Sequence, residues 1–490
     1  MNPLRERLHL DRRRFLTSAA GGIGGVALLA LLRESGALAL PARRAAPLAK
    51  AKNCIFFFME GGPSQFDLFS YKPKLNELNG QRPPEALLAG KRFAFVQKDT
   101  AVLLGTDPAR TFAAHGQSGM MFSDLLPNLS RHADRICLLQ TVFTTQFNHH
   151  PAQLMVQTGD NLEGHPSVGS WFLYGLGSEN KNLPGYVVMN SSAYLSGGER
   201  LWQSGFLPTT YGGVLFQPSG NPILNLAAPP GISKSVERRG LDALARLNEI
   251  RRQKMMDPEI AARIENYELA FRMQMAGPEL TDLSLESGQT LARYGIDRTD
   301  PFVPMASYRR PAAGSYGNFA RHCLLARRMV ERGVRFINVF SGSWDAHFLL
   351  NSEIGFFSQM VDQPIAALID DLAERGLLDE TLVVIASEFG RTPLGENRPT
   401  FDGVSGRDHH PEAFCVLMIG GGTKGGFTYG ETDELGWTAT RDPVDIADVH
   451  ATMLSLFGID HTALSFPSRG ADQRLTPLTR AARVINDIIA

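Results

Sequence analysis

Acidic and histidine side chains gather at a few places in this 490-residue chain. Three lie in the second half: Trp344-Asp345-Ala346-His347, Ser387-Glu388-Phe389-Gly390-Arg391 and Gly406-Arg407-Asp408-His409-His410-Pro411. A fourth is Asn148-His149-His150-Pro151, and a fifth is Glu60-Gly61-Gly62-Pro63-Ser64-Gln65-Phe66-Asp67. Mixed carboxylates and imidazoles suit zinc, manganese or iron better than calcium. A cation held by Glu60, Asp67, Asp345, His347, Glu388, His409 or His410 could neutralise charge developing on an anionic ester. Gly61, Gly62 and Ser64 could present backbone N–H groups and a hydroxyl to an anion, and Arg391 and Arg407 could grip an oxyanion bidentately. His149 and His150, at the start of a helix-like run, are placed for metal or anion binding. The competing readings are a plain turn at 60–67 and a pair of surface histidines at 149–150.

These residues need a frame. Leu382-Val383-Val384-Ile385 is apolar without alternation and stops at Glu388 and Gly390, the pattern of a strand covered on both faces. Residues 53–59, 136–142, 334–340 and 412–419 read as further strands, and 319–331, 353–374 and 445–457 as helices. The alternation from 319 to 457 predicts βαβ units on a parallel sheet. In such sheets ligands bind at the carboxyl ends of the strands, where Glu60, Asp345 and Glu388 fall. Residues 124–134 read as a helix. So do residues 152–158, stopped by Gly159. Residues 72–117 read as a surface excursion and 160–230 as a long insertion near the site. Two charged helices within 235–300 read as a cap. His115-Gly116-Gln117-Ser118-Gly119 lacks the flanks of a hydrolase elbow, and no G-K-[ST] follows Gly420-Gly421-Gly422.

The formal net charge is −1, with 43% hydrophobic and 20% charged residues, which fits an enzyme-sized globular core and argues against a nucleic-acid binder. Residues 1–42 stand apart. Arg12-Arg13-Arg14-Phe15-Leu16 precedes an apolar, glycine-rich run, and Ala37-Leu38-Ala39 offers a cleavage site. This predicts a twin-arginine signal and export to the periplasm or beyond, through the machinery that reads it. Cys54, Cys137, Cys323 and Cys415 have no C-x-x-C spacing and read as buried small hydrophobes.

The order of elements resembles the alkaline phosphatase–sulfatase superfamily. Pro127-Asn128-Leu129-Ser130-Arg131-His132-Ala133 is similar to the P-N-L-x-x-L-A segment of sulfatases, Thr381–Gly390 to their T-L-V-V-x-x-S-D-H-G strand, and Asp448–Leu454 to their D-x-x-P-T-[IL]-L helix. Within it, Gly61-Gly62-Pro63-Ser64-x-x-Asp67, Trp344-Asp345-x-His347, Ser387-Glu388-Phe389-Gly390-Arg391-Thr392-Pro393 and Asp408-His409-His410 resemble one exported branch, domain of unknown function number fifteen hundred and one.

The resemblance implies a doubly wound, mainly parallel α/β sheet of alkaline phosphatase-like type over residues 50–480, with 235–300 as a helical insertion. It also implies a one- or two-metal site acting on a phosphate or sulfate ester, either a small anionic ester or a sulfated or phosphorylated glycan. Asp345 and His347 fall on the family's metal pair, Glu388 on the aspartate of S-D-H-G, and His409 or His410 on the last metal histidine. Three departures stand out. Phe389 replaces the second-metal histidine, Glu60 replaces an aspartate, and His149 occupies the nucleophile position, with no Cys, Ser or Thr there. The expectation is a metal-dependent hydrolase, zinc or manganese, that uses no formylglycine. Its nucleophile is either His149 or a metal-activated water, with Ser64 and Thr144 as outside candidates. The alternative is a non-catalytic periplasmic binding or assembly protein that keeps the fold.

Overall fold

In the computed structural model the described residues are 49–192, 195–217, 231–255, 258–305, 310–396 and 406–490. The expected signal segment, 1–42, lies outside them.

Strand β1 (Asn53–Met59) shows why the chain folds around its apolar runs. All seven of its residues are buried. Successive side chains of a strand point to opposite faces, so Ile55, Phe57 and Met59 enter one core while Cys54, Phe56 and Phe58 enter another. Burying each phenylalanine stabilises the fold by about 1.5–3 kcal/mol, and a strand this apolar is stable only with cover on both sides.

The remaining strands of the central sheet are β2 (Ile136–Phe143), β3 (Tyr186–Asn190), β4 (Val214–Phe216), β5 (Phe336–Ser341) and β6 (Thr381–Ala386), followed by β9 (Phe414–Ile419), β10 (Phe427–Tyr429) and β11 (Val444–Asp445). Two further strands, β7 (Gly390–Gly395) and β8 (Arg407–His410), belong to a smaller sheet. The central order is β10-β2-β9-β6-β1-β5-β3-β4, with β11 beside β2. Helices α1 (His149–Thr158), α2 (Val168–Leu176) and α7 (Ile446–Leu456) bury residues in the core of one face. Helices α5 (Ser315–Glu331) and α6 (Leu350–Glu374) cover the other. Between them in sequence, α3 (Lys234–Met255) and α4 (Pro258–Thr281) pair with each other. The fold is a doubly wound α/β sheet, mainly parallel.

Four details depart from the sequence reading. Strand β9 runs antiparallel to β6 and β2. The chain between β6 and β9 holds β7 and β8 but no crossover helix among its described residues. A strand re-entering from the end where its predecessor left must run antiparallel. The expected helix at 124–134 shrinks to a 3-10 segment, Leu129–Arg135. Pro127 precedes it, and the Asp362 carboxylate of α6 accepts the N–H groups of Asn128 and Leu129, replacing the bonds a longer helix would make. Residues 160–230, expected as a long insertion near the site, hold α2, β3 and β4, of which the two strands complete the sheet's far edge. Residues 72–117 also carry structure: Leu75, Leu88 and Leu103 pack with Phe66, Leu394 and Trp437 in a satellite core.

Candidate metal centre

The carboxyl ends of β1, β5 and β6 bring three loops together. Glu60 follows β1 and Glu388 follows β6, while Asp345 and His347 follow β5. The first two loops are joined directly, since Glu60 N–H donates to Ser341 O at 2.8 Å and Trp344 N–H to Glu60 O at 2.9 Å. A side chain at position 61 would place its Cβ 2.5 Å from Asp345 N, and Gly61 has a φ of +109°. Only glycine tolerates both constraints. The smaller sheet adds the fourth group. Strands β7 and β8 pair so that Arg391 lies opposite His409, and both side chains reach Asp345.

Asp345 is the hub. Its Oδ1 lies 2.6 Å from Arg391 Nη2, 2.7 Å from His347 Nε2, 3.2 Å from His409 Nε2 and 3.3 Å from His149 Nε2. Burial opposes its charge, yet Arg391 and the three histidines hold the carboxyl well below the usual range. His409 Nδ1 lies 2.7 Å from the Phe147 carbonyl. A carbonyl can only accept, so Nδ1 carries the proton and the Nε2 of a neutral ring carries a lone pair. That lone pair faces His347 Nε2 at 3.0 Å as well as Asp345 Oδ1. His347 Nδ1 in turn lies against the Glu396 carboxylate. Imidazoles oriented from behind by a carboxylate and a carbonyl, with lone pairs converging on a third acceptor, form the arrangement of metal ligands and their outer partners.

Burial pushes His409 down to about 3, against the pull of Asp345 and with the charges of Arg391 and His149 adding to it. His149 moves the other way. Burial opposes its charge, but hydrogen bonds to Asp345 and Glu388 raise it to about 10. Its Nδ1 lies 2.8 Å from Glu388 Oε1, so both ring nitrogens are engaged. Glu388 Oε1 also accepts the Gly61 N–H at 2.9 Å. Gln153, one turn along α1, donates to both Glu60 and Glu388 at 3.2 and 3.3 Å. Burial, then the Glu388 charge, raises the Glu60 carboxyl well above its ordinary value. Glu388 Oε2 is buried with no hydrogen-bond partner among the described residues. Two sets of ligating atoms thus adjoin, His149, Asp345, His347 and His409, and Glu60, His149 and Glu388, and a third, His347, Glu396 and Asp408, meets them at His347. Three imidazoles, three carboxylates and an unsatisfied carboxylate oxygen fit a divalent cation.

Several residues expected at the site lie elsewhere. Asp67 forms a buried ion pair with Arg407, Oδ2 to Nε 3.2 Å, and also accepts the Ser64 hydroxyl at 2.5 Å. Arg407 further donates to the carbonyls of Leu104 and Gly105 at 2.7 and 3.0 Å. These three residues hold a buried joint and present nothing to a ligand. His410 donates from Nε2 to Trp437 O at 2.9 Å, and burial lowers it to about 4. Neighbours on a strand face opposite ways, so His409 and His410 cannot share a site. Among the described residues, neither Asp67 nor His410 joins a metal-capable group. His150 pairs with Ser196 O and with Glu163. Arg391 is buried, its guanidinium engaged with the carbonyls of Gly61, Gly62 and Arg407 and with Asp345. It positions the glycine loop and Asp345 and is not available as an oxyanion clamp. Since the Gly61 N–H is given to Glu388, the expected anion nest is not formed there.

Three residues that sequence reasoning missed, Glu396, Gln153 and Phe95, complete the centre, together with Asp408 and Phe389 from motifs it named. Glu396 and Gln153 orient ligands as described. Asp408 accepts the N–H groups of Phe95 and Val96 at 2.8 and 2.9 Å, which sets the Phe95 ring 4.6 Å from that of His347. Phe389, at the position where a histidine was expected, stacks on His409 at 4.3 Å. Phe95 and Phe389 give the centre aromatic walls.

In overall fold the chain is similar to several solved structures. One is the PsFucS1 sulfatase from Pseudoalteromonas sp., at 13% identity and a TM-score of 0.34, covering 90% of this chain and 77% of that one. Another is the lipoteichoic acid synthase LtaP from Listeria monocytogenes, at 10% identity and a TM-score of 0.34, covering 86% and 75%. A third is a protein in the alkaline phosphatase superfamily from Vibrio parahaemolyticus, at 10% identity and a TM-score of 0.34, covering 85% and 69%. Among curated proteins none matches. Residues 51–489 match the family model described as "Protein of unknown function (DUF1501)", and the chain belongs to that family.

Proposed function

We propose that this protein is an exported, metal-dependent hydrolase of phosphate or sulfate esters that uses no formylglycine. The observation that carries the reading is the convergence of His347 Nε2 and His409 Nε2 on Asp345 Oδ1, each ring oriented from behind. Asp345, His347, His409 and His149 would hold the cation, zinc or manganese by donor type, with Glu60 and Glu388 extending the donor set. When bound, the cation supplies positive charge to the ester oxygens. The chain's own residues do the rest. Glu396 and the Phe147 carbonyl fix two imidazole tautomers, and Arg391 holds Asp345 in place. Phe389, fully buried against His409, keeps bulk water from one wall of the site.

Both nitrogens of His149 are engaged, and the Ser64 hydroxyl is bound to Asp67. On this reading the attacking group is a water molecule, with no phosphorylated or sulfated protein intermediate. Elemental analysis of the purified protein, with a hydrolysis screen on aryl phosphates and aryl sulfates, tests this. The expected result is a stoichiometric transition metal and turnover of one ester class that chelation removes. A metal-free protein, or a metal-loaded one inert to both classes, would favour the non-catalytic alternative.

Export rests on Arg12-Arg13 ahead of the apolar run at 19–32, because the arginine pair is an address read by a receptor. Arg12→Lys combined with Arg13→Lys should leave the chain in the cytoplasm on cell fractionation. Normal periplasmic accumulation of that double variant refutes the assignment.

A further inference from the structure

Helix α3 has two faces. Glu237, Arg238, Leu241 and Ala245 are half-buried on the side toward α4. There Arg238 pairs with Glu268 at 2.5 Å and Gln274 donates to Glu237 at 2.6 Å. On the other side Val236, Gly240, Ala243, Leu247 and Ile250 recur at alternating steps of four and three residues, which places them in one row along a helix. Leu244 widens the row. Val236, Leu244, Leu247 and Ile250 are 44–57% exposed, and a Cβ on Gly240 would meet nothing within 4 Å. The row is about 21 Å long, at about 1.5 Å per residue. Exposed apolar residues standing singly are ordinary, but a contiguous row of them marks a surface that meets a partner.

The charges beside the row define the partner. Helix α3 carries seven basic and three acidic side chains, in a chain whose formal net charge is −1. The acids are engaged: Glu237 with Gln274, Asp242 with Arg238, and Glu249 with Gln253. Arg239 and Arg246 border the row on one side and Arg251 lies on the other. All three are exposed and make no ion pair among the described residues. A second copy of α3 seated on this row, in either direction, would bring arginine against arginine, and like charges placed together oppose association. A nucleic acid would take the arginines and leave the aliphatic row in water. A bilayer with anionic headgroups satisfies both features, since acyl chains receive the apolar row and lipid phosphates receive the arginines.

We propose that α3 is an interfacial helix by which the protein docks on a bilayer containing anionic phospholipid. No described helix is long and apolar enough to cross a membrane, and its charged side chains keep α3 lying in the headgroup plane. Among the described residues α3 contributes nothing to the metal-capable groups, so docking is tested apart from hydrolysis. The mature chain, without residues 1–42, would be floated with vesicles of phosphatidylglycerol and phosphatidylcholine, and with vesicles of phosphatidylcholine alone. The signal is removed because its own apolar run at 19–32 would bind lipid. Two double variants at exposed positions are compared, Leu247→Gln with Ile250→Gln and Arg239→Gln with Arg246→Gln.

The wild-type chain should float with the phosphatidylglycerol vesicles and not with phosphatidylcholine alone, and added salt should weaken the binding. The arginine variant should bind about thirtyfold more weakly, since each basic residue near an anionic surface contributes a factor of about five. The apolar variant should lose roughly tenfold or more. Both should keep the wild-type melting temperature, metal content and aryl-ester turnover. Absence of binding to phosphatidylglycerol vesicles, equal binding to phosphatidylcholine alone, or wild-type binding by either variant overturns the proposal. With vesicles unbound, a dimer in sedimentation velocity that the apolar variant dissociates would assign the face to a second copy. Binding of a duplex oligonucleotide that only the arginine variant loses would assign it to nucleic acid. Either result also overturns the lipid assignment.

Discussion

Asp345→Asn is expected to leave the protein without its metal and to lower ester hydrolysis by more than the roughly 10–100-fold that losing an outer partner of a metal ligand costs. Asparagine preserves the volume and removes the charge on which three imidazoles and Arg391 converge within 3.3 Å. It also leaves the buried Arg391 guanidinium without its counter-charge, so stability falls along with metal content. Metal content measured on folded variant protein, beside turnover, separates the two effects. Glu396→Gln provides the internal scale, since its carboxylate lies against Nδ1 of His347, on the far side of the ring from Asp345, and it should stay within the outer-partner range. An Asp345→Asn protein with wild-type metal and turnover would remove the hub from the mechanism.

Asp67→Ala should behave in the opposite way. Asp67 and Arg407 are both essentially inaccessible to solvent, and breaking a buried pair by removing one partner costs about 3–5 kcal/mol. Arg407 would keep its contacts to Leu104 and Gly105 and its place over the Phe66 ring, but as an uncompensated charge. The expected outcome is a large loss of stability in denaturant unfolding with metal stoichiometry unchanged at low temperature. Loss of metal before loss of fold would return Asp67 to the ligand set.

These two aspartates show how far the sequence could be read. Both stand in acid-bearing motifs after strand-like runs, and nothing local distinguishes them. Asp67 turns inward on a short helical turn, Gln65–Leu68, to meet an arginine 340 positions away. No pattern in the chain encodes that pairing. Asp345, His347 and Glu388 were legible because each follows a strand whose apolar run is visible, and strand ends meet in such sheets, whereas His409 lies within β8 and was legible only through the Asp408-His409-His410 motif. The choice between His409 and His410 was also within reach, through the alternation of neighbouring side chains, once Arg407–His410 is taken as a strand. Glu396, Gln153 and Phe95 were not legible. Each acts through a partner, and a partner's position depends on the assembled sheet. Strand β9 gave a signal that was overlooked, because no helical run precedes it after β6.

The most direct measurement is anomalous X-ray scattering at a transition-metal absorption edge, on crystals of protein purified without chelator. A peak in contact with His347 Nε2, His409 Nε2 and Asp345 Oδ1, with His149 beside it, is the predicted result. A protein whose crystals show no such peak, or a peak bound only by residues outside this set, would contradict the assignment of this cluster as the functional centre.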